Sequence, residues 1–414
     1  MFVRKSKFLF SLLSGVVAGV LAFTLTVGTT IPDRFSVVEG ENFSIESGIP
    51  VDVQPSVVSA DSVEASVATA GHSYKVDLKL LGLFPVKQVT VDVVKGITVI
   101  PCGTPFGIKM FTDGVLIIGM STVDTEAGSV NPAKDAGLEL GDVIVSIDGK
   151  GVMSNEDVSK IISECDGSPL VLSVRRDNMT FDVSFTPAFS KSDGCYKLGA
   201  WVRDSSAGIG TLTFYEPESM VFGGLGHGIC DMDTGEILPL MSGEIVPAVI
   251  GGINPGKVGQ PGELRGSFSS DKDMGVLTQN GETGVYGILD TAPSAHEPMQ
   301  VAMRQQVQEG SAQILTTIDG ETPQYYDITI EKVNFNDNSP TKNMVIRITD
   351  QELLDKAGGI VQGMSGSPII QNGMLVGAVT HVFVNDPTRG YGIFAENMLN
   401  TAKTVDTSVL DKAS

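Results

Sequence analysis

The chain has 414 residues, with 49 acidic and 28 basic side chains, a formal charge of −21 and 42% hydrophobic residues. This length predicts two or three domains, and the hydrophobic content excludes global disorder. The acidic balance excludes nucleic acid as a partner, because displacing phosphate counterions needs an excess of Lys and Arg. The 48 glycines, with only 6% aromatics and many Val/Ile/Thr runs, favour turn-rich, mainly β structure.

Arg4, Lys5 and Lys7 precede an uncharged run over residues 8–32, whose apolar body reads FLFSLLSGVVAGVLAFTLTV. About 20 such residues span a bilayer as a helix, and the basic flank would stay cytoplasmic. The reading is a single-pass signal anchor within residues 1–32, with a cleaved signal peptide as its competitor. Residues 33–74 read as an acidic flexible tether. They hold seven acidic side chains, a single basic one (Arg34) and little periodicity. Cys102, Cys165, Cys195 and Cys230 follow beyond the membrane; a disulfide is allowed there, and four cysteines permit three full pairings.

Residues 75–99 read as lead-in strands, with VKQVTVDVV alternating over 86–94. Residues 100–187 form a compact α+β unit. In it, 133–138 is a short helical turn and 143–147 a strand. Ser154 caps a helix with Val158, Ile161 and Ile162 on one face, and LVLSVRRDNMTFDVSFTP closes the unit as a hairpin. This unit resembles a PDZ domain through AGLELGDVIVSIDGKGV and, more loosely, PFGIKM. The resemblance implies a peptide carboxylate held by backbone amides at Phe106, Gly107 and Ile108, with the peptide strand added beside the 154–165 helix.

Residues 188–404 carry many short alternating segments, two short helices at most (350–356 and 396–403), and the chemistry; residues 405–414 are a tail. That inventory implies a β-sandwich or a closed barrel. The sharpest motif is VQGMSGSPIIQNGMLVGAVTHVF over 361–383. Ser365 lies between Gly363 and Gly366, small residues that let the backbone turn sharply and aim amide N–H groups at one spot. Such an oxyanion hole would use the N–H groups of Gly363 and Ser365. The segment resembles G-D-S-G-G-P of chymotrypsin-like serine proteases, with Met364 and Ser367 as departures. The strand after it would then line the substrate cleft at Thr380, His381 and Val382.

A serine needs a base. Of four histidines, His227, set between glycines in VFGGLGHGICDMDTG, is the strongest candidate, and it precedes the serine as in trypsin-like chains. Asp231, Asp233, Asp290, Asp319 and Asp350 are candidates for the orienting acid, and spacing does not choose among them. A metal at His227, Cys230, Asp231 and Asp233 is a weaker reading, because no second ligand pair at known spacing appears. No metal or other cofactor is expected.

The chain as a whole resembles the stage IV sporulation protein B family, serine peptidases of endospore-forming bacteria. The resemblance rests on LKLLGLFPVKQVTVDVV, YKLGAWVRDSSAGIGTLTF, LGHGICDMDTGEI and ITDQELLDKAGGIVQGMSGSPIIQNGMLVGAVTHVFVNDPTRGYGIFAE. It implies a membrane helix, a PDZ domain and a chymotrypsin-like double β-barrel, with His227 and Ser365 as the catalytic pair. It favours Asp350, in the ITD motif, as third member. It also implies a location on the forespore inner membrane with both domains in the intermembrane space, and release after self-cleavage as an option. The implied partners are the chain's own amino-terminal region and the extracytoplasmic segment of a membrane-bound regulator of an intramembrane protease. Cutting that regulator would signal activation of a late mother-cell sigma factor. The rival from another class is a membrane-tethered PDZ scaffold with an inactive protease fold.

Overall fold

The structure is a computed structural model that describes residues 24, 28–45, 51–55, 69–80, 82–176, 179–268, 273–293, 296–335 and 338–408. The expected anchor falls almost wholly outside the described residues. Among those described, no helix is long and apolar enough to cross a membrane.

Four strands make an amino-terminal sheet in the order Arg34–Val38, Phe84–Val94, Ser73–Leu80, Val51–Pro55, the first pair being parallel. Alternation gives the sheet one apolar face: Phe35 and Val37, Val76 and Leu78, and Val89, Val91 and Val93 are all buried. The tether expected at 33–74 is corrected here. Residues 34–38, 51–55 and 73–74 of it are strand, because Phe35 and Val37 find partners in a strand some fifty residues on, and Val51–Pro55 pairs with Ser73–Leu80, which local composition does not reveal. The sheet docks on the rest of the molecule where Gln305 Nε2 donates to Ser36 O at 2.5 Å and Phe35 meets Phe335 edge-on, 6.0 Å between ring centres.

The remainder contains two six-stranded barrels. The first closes in the order Pro105–Met120, Leu240–Asn254, Gly275–Gly281, Gly284–Leu289, Val221–Gly224 and Ala200–Tyr215, which pairs back with Pro105–Met120. The second is Gly310–Thr316, Gln324–Val333, Met344–Ile348, Asp386–Phe394, Met374–Phe383 and Pro368–Gln371. The closing helix Ala395–Ala402 lies across both. It buries Met398 and Leu399 with Phe214, Tyr286 and Ile288 of the first barrel and Leu375 and Ile393 of the second.

The PDZ unit does not precede the first barrel; it is inserted into it. Pro105–Met120 is a barrel strand as far as Thr112, then becomes a strand of the PDZ sheet, where Val115 and Leu116 pair with Val143–Ile147. The chain returns in Ala200–Tyr215, whose first four residues pair with PDZ residues 116–120 and whose remainder is barrel. Helix Asn155–Ser163 forms as expected. Ser154 Oγ accepts from Asp157 N, Asp157 reciprocates at the Ser154 N–H, and Val158 and Ile162 are buried.

This insertion overturns the peptide-carboxylate reading of Phe106, Gly107 and Ile108. All three lie in a central barrel strand, opposite Pro247, Val246 and Ile245 on one side and Gly210, Ile209 and Gly208 on the other. With neighbours on both edges this backbone has no free edge for a ligand, and Phe106 is fully buried. An open edge of the PDZ sheet lies instead at residues 200–203, which have a strand on one side only and helix Asn155–Ser163 packed nearby.

Candidate active site

Each barrel sends one loop to the seam between them. Strand Val221–Gly224 ends in Leu225 and Gly226, both with left-handed φ (64° and 70°), and this tight turn delivers His227. A Cβ on Gly226 would lie 3.0 Å from Thr380 Cγ2 of the second barrel. On the serine side, a Cβ on Gly366 would fall 2.0 Å from Thr211 O and 2.5 Å from Leu225 N. Both glycines are therefore required by close approach: the histidine loop and the serine loop press directly on one another.

His227 is half-buried, and its Nδ1 lies 2.9 Å from Gly228 O. A carbonyl only accepts, so Nδ1 carries the proton in this contact and Nε2 is left as an acceptor. Burial holds the His227 pKa below its ordinary 6.5. The loop beyond is fastened by Asn280, which accepts from Ile229 N at 2.8 Å and donates to Ile229 O and Leu238 O at 2.9 Å each. Arg203, from the PDZ end of strand Ala200–Tyr215, pairs with buried Asp231 and with Asp233.

Ser365 Oγ donates to Thr380 O at 2.7 Å. The register of strand Met374–Phe383 breaks between Val379 and Val382, so Thr380 and His381 leave the ladder and face the serine and the histidine. The rings of His381 and His227 lie 4.8 Å apart. Desolvation, with His227 and Lys342 beside it, pushes the His381 pKa down to about 4. Among the described residues neither the Gly363 nor the Ser365 N–H meets an acceptor. The departures from the chymotrypsin-like motif are structural. Met364 is wholly buried in the second barrel, and Ser367 Oγ donates within hydrogen-bond distance of Met364 O (2.7 Å) and Thr316 Oγ1 (2.8 Å).

The structure does not bring Asp350 to the histidine. Asp350 is the N-cap of helix Gln351–Ala357, accepting from Leu353 N at 3.0 Å, and its own N–H donates to Asp327 O. A strand-end aspartate followed by QELLDKA satisfies the helix start, and that local demand wins here. Asp290 and Asp319 are exposed, and Asp231 is held by Arg203. Among the described residues no carboxylate bonds to His227. All four cysteines are free thiols.

Sequence reasoning missed Thr211 and Thr213, whose hydroxyls donate to Gly363 O and Gly366 O, each at 2.7 Å. The signal was present in TLTF: two threonines at i and i+2 share a strand face, beside buried Leu212 and Phe214 on the other.

Two barrels that meet at a seam, with a serine loop from one against a histidine loop from the other, define a serine endopeptidase, here with a PDZ unit let into the first barrel. Residues 194–399 match the family model of the SpoIVB peptidase S55, and residues 128–176 that of a PDZ domain. The chain is a SpoIVB-like serine peptidase. Serine protease HTRA1 of Xenopus tropicalis is 48% identical over 56 residues, which is 14% of this chain and 12% of that relative's length. Among solved structures, the PDZ domain of the SdrC-like protein Lmo2051 of Listeria monocytogenes is 23% identical. That likeness covers 22% of this chain and 87% of that one, at a TM-score of 0.18. The inactive form of the Rv3671c protease of M. tuberculosis H37Rv is 14% identical, covering 48% of this chain and 84% of that one, at a TM-score of 0.28.

Proposed function

We propose that this chain is a sporulation endopeptidase that processes its own amino-terminal region and then cuts the extracytoplasmic part of a membrane protein. Loss of that protein frees an intramembrane protease, and a late mother-cell sigma factor is released. The enzyme is held at the forespore inner membrane by residues 1–32, with its PDZ and peptidase domains in the intermembrane space. The PDZ unit presents the edge at residues 200–203 to a peptide strand, first from its own chain and then from the target.

The observation that carries the catalytic part is His227 with Nδ1 committed to Gly228 O, on a loop packed against that of Ser365. In the reaction Ser365 Oγ turns from Thr380 O to His227 Nε2, which takes its proton as Oγ attacks the scissile carbonyl. The oxyanion is received by the N–H groups of Gly363 and Ser365. Collapse breaks the C–N bond, and the leaving amine takes the proton from Nε2. Water, deprotonated by the same nitrogen, then attacks the acyl carbon; the ester C–O bond to Ser365 breaks, the acid product leaves, and Nε2 returns the proton to Ser365 Oγ. Thr380, His381 and Val382 form the strand beside which substrate lies. The Gly228 carbonyl does the orienting that a carboxylate does elsewhere. The bond from Ser365 Oγ to Thr380 O favours a latent resting form, released when substrate occupies the cleft.

Fluorophosphonate labelling of Ser365, together with the amino-terminal sequence of the mature chain beside that of Ser365→Ala, tests this reading. Labelling of the parent and a full-length Ser365→Ala chain are expected. An unlabelled parent, or Ser365→Ala processed as fast as the parent when purified alone, would return the chain to the scaffold class.

A further inference from the structure

We infer that Thr211 is the positioning residue of the catalytic loop: it clamps the peptides around Ser365 so that the Ser365 N–H is left as a fixed donor for the oxyanion. The inference rests on the proposed role of that N–H. Thr211 is 1% exposed and lies on the other barrel, 154 residues before the serine. It makes three contacts with the two catalytic loops. Its N–H donates to Ser365 O at 3.1 Å, its Oγ1 donates to Gly363 O at 2.7 Å, and its own carbonyl accepts from Leu225 N, two residues before His227, at 3.2 Å.

The peptides of the loop are held in turn. In the peptide joining 363 to 364, the carbonyl is held by Thr211 Oγ1 and the Met364 N–H by Val361 O at 3.1 Å. In the peptide joining 365 to 366, the carbonyl is held by the Thr211 N–H and the Gly366 N–H by Val379 O at 2.8 Å. Between them, the Met364 carbonyl accepts from both Ser367 Oγ and Ser367 N–H. Five of the six polar atoms of these three peptides therefore have protein partners. The sixth is the Ser365 N–H. A donor fixed before the reaction needs no reorganisation when charge develops, and this is where such a donor gives most rate.

Thr211→Val keeps the shape and removes only the hydroxyl; Thr211→Ser restores it. For Thr211→Val we expect kcat on a short peptide to fall about 10- to 100-fold with KM within about twofold, and the fluorophosphonate labelling rate to fall in parallel. Thr211→Ser should recover to within about threefold of the parent. A folded Thr211→Val with parental kcat, or a loss expressed in KM alone, overturns the inference. Ser367→Ala, which frees the Met364 carbonyl from its hydroxyl partner, gives an independent reading should Thr211→Val not fold. It is expected to lose kcat about 3- to 10-fold, and a parental kcat in it overturns the clamp. If the parent itself does not label, the failure lies with the serine mechanism; if the parent labels and both variants match it, only the positioning role is wrong.

Discussion

The two loops of the candidate site are held in different ways. The serine loop is clamped by neutral hydrogen bonds from buried partners, with Thr211 and Thr213 on one side and Ser367 and Val379 on the other. The histidine loop is fastened at Asn280 and by a charge pair that leaves its own barrel: Arg203 stands at the junction with the PDZ unit, and its neighbour Asp204 accepts from Asn155 N at the start of the PDZ helix. The Ser365 loop is thus set by a buried barrel seam, whereas the His227 loop is tied to the inserted domain. Strand Ala200–Tyr215 serves both, with Arg203 at one end and Thr211 and Thr213 at the other.

The largest effects break the contact between the loops. His227→Ala and Ser365→Ala are each expected to lower turnover about 10⁴-fold or more, and the double variant hardly further, since such residues act as a unit. Additive losses in single-turnover kinetics would mean the loops do not work together.

Next comes the charge tie. Asp231 is fully buried and Arg203 about a third exposed (0% and 32% by side chain). Arg203→Met strands a buried carboxylate, and the cost is expected near the lower end of the range for broken buried pairs, about 3 kcal/mol by denaturant titration. Turnover should fall with it, while Arg203→Met combined with Asp231→Asn should recover part of both. A single variant with parental stability and turnover would show that the PDZ unit does not hold the histidine loop.

The pH dependence sharpens the comparison further. Because burial lowers the His227 pKa, the acid limb of kcat/KM is expected below pH 6.5. His381→Ala opens the His227 ring to water and should move that limb to higher pH; an unmoved limb would remove His381 from the site. The sign for stability follows the same way. A histidine depressed to about 4 stays neutral in the fold while the unfolded chain protonates near 6.5. Its contribution is complete above about pH 6.5 and erodes as pH falls toward 4.

The smallest expected effect is at Asp350. Asp350→Ala removes a helix cap and should cost about 1 kcal/mol, and Asp350→Asn, which can still cap, a few tenths. Turnover of the Asn variant should stay within about tenfold of the parent. An Asn variant as inactive as His227→Ala would restore Asp350 as the orienting acid.

The tight turns at His227 and Ser365 were legible because each residue sits among glycines that serve one local purpose, to turn the backbone sharply and bring it close to a neighbour. The PDZ helix was legible for the same kind of reason: Ser154, Asp157, Val158 and Ile162 state a cap and a buried stripe within nine residues. Asp350 misled because a strand-end aspartate can serve a cleft or a helix start, and only the Leu353 N–H beside it decides. Phe106–Ile108 misled because the same strand belongs to two sheets along its length.

From sequence alone came the mainly β class, the PDZ unit and the tight, glycine-flanked turns that carry His227 and Ser365. Those features are written in composition and in short-range patterns, which record what each stretch of backbone needs. Tertiary structure decided that the PDZ unit is an insertion, that the amino-terminal segment joins a sheet, and that Thr211 holds the loop of Ser365. Each depends on a partner from about fifty to more than a hundred residues away, and pairing at that separation leaves no local trace in either segment.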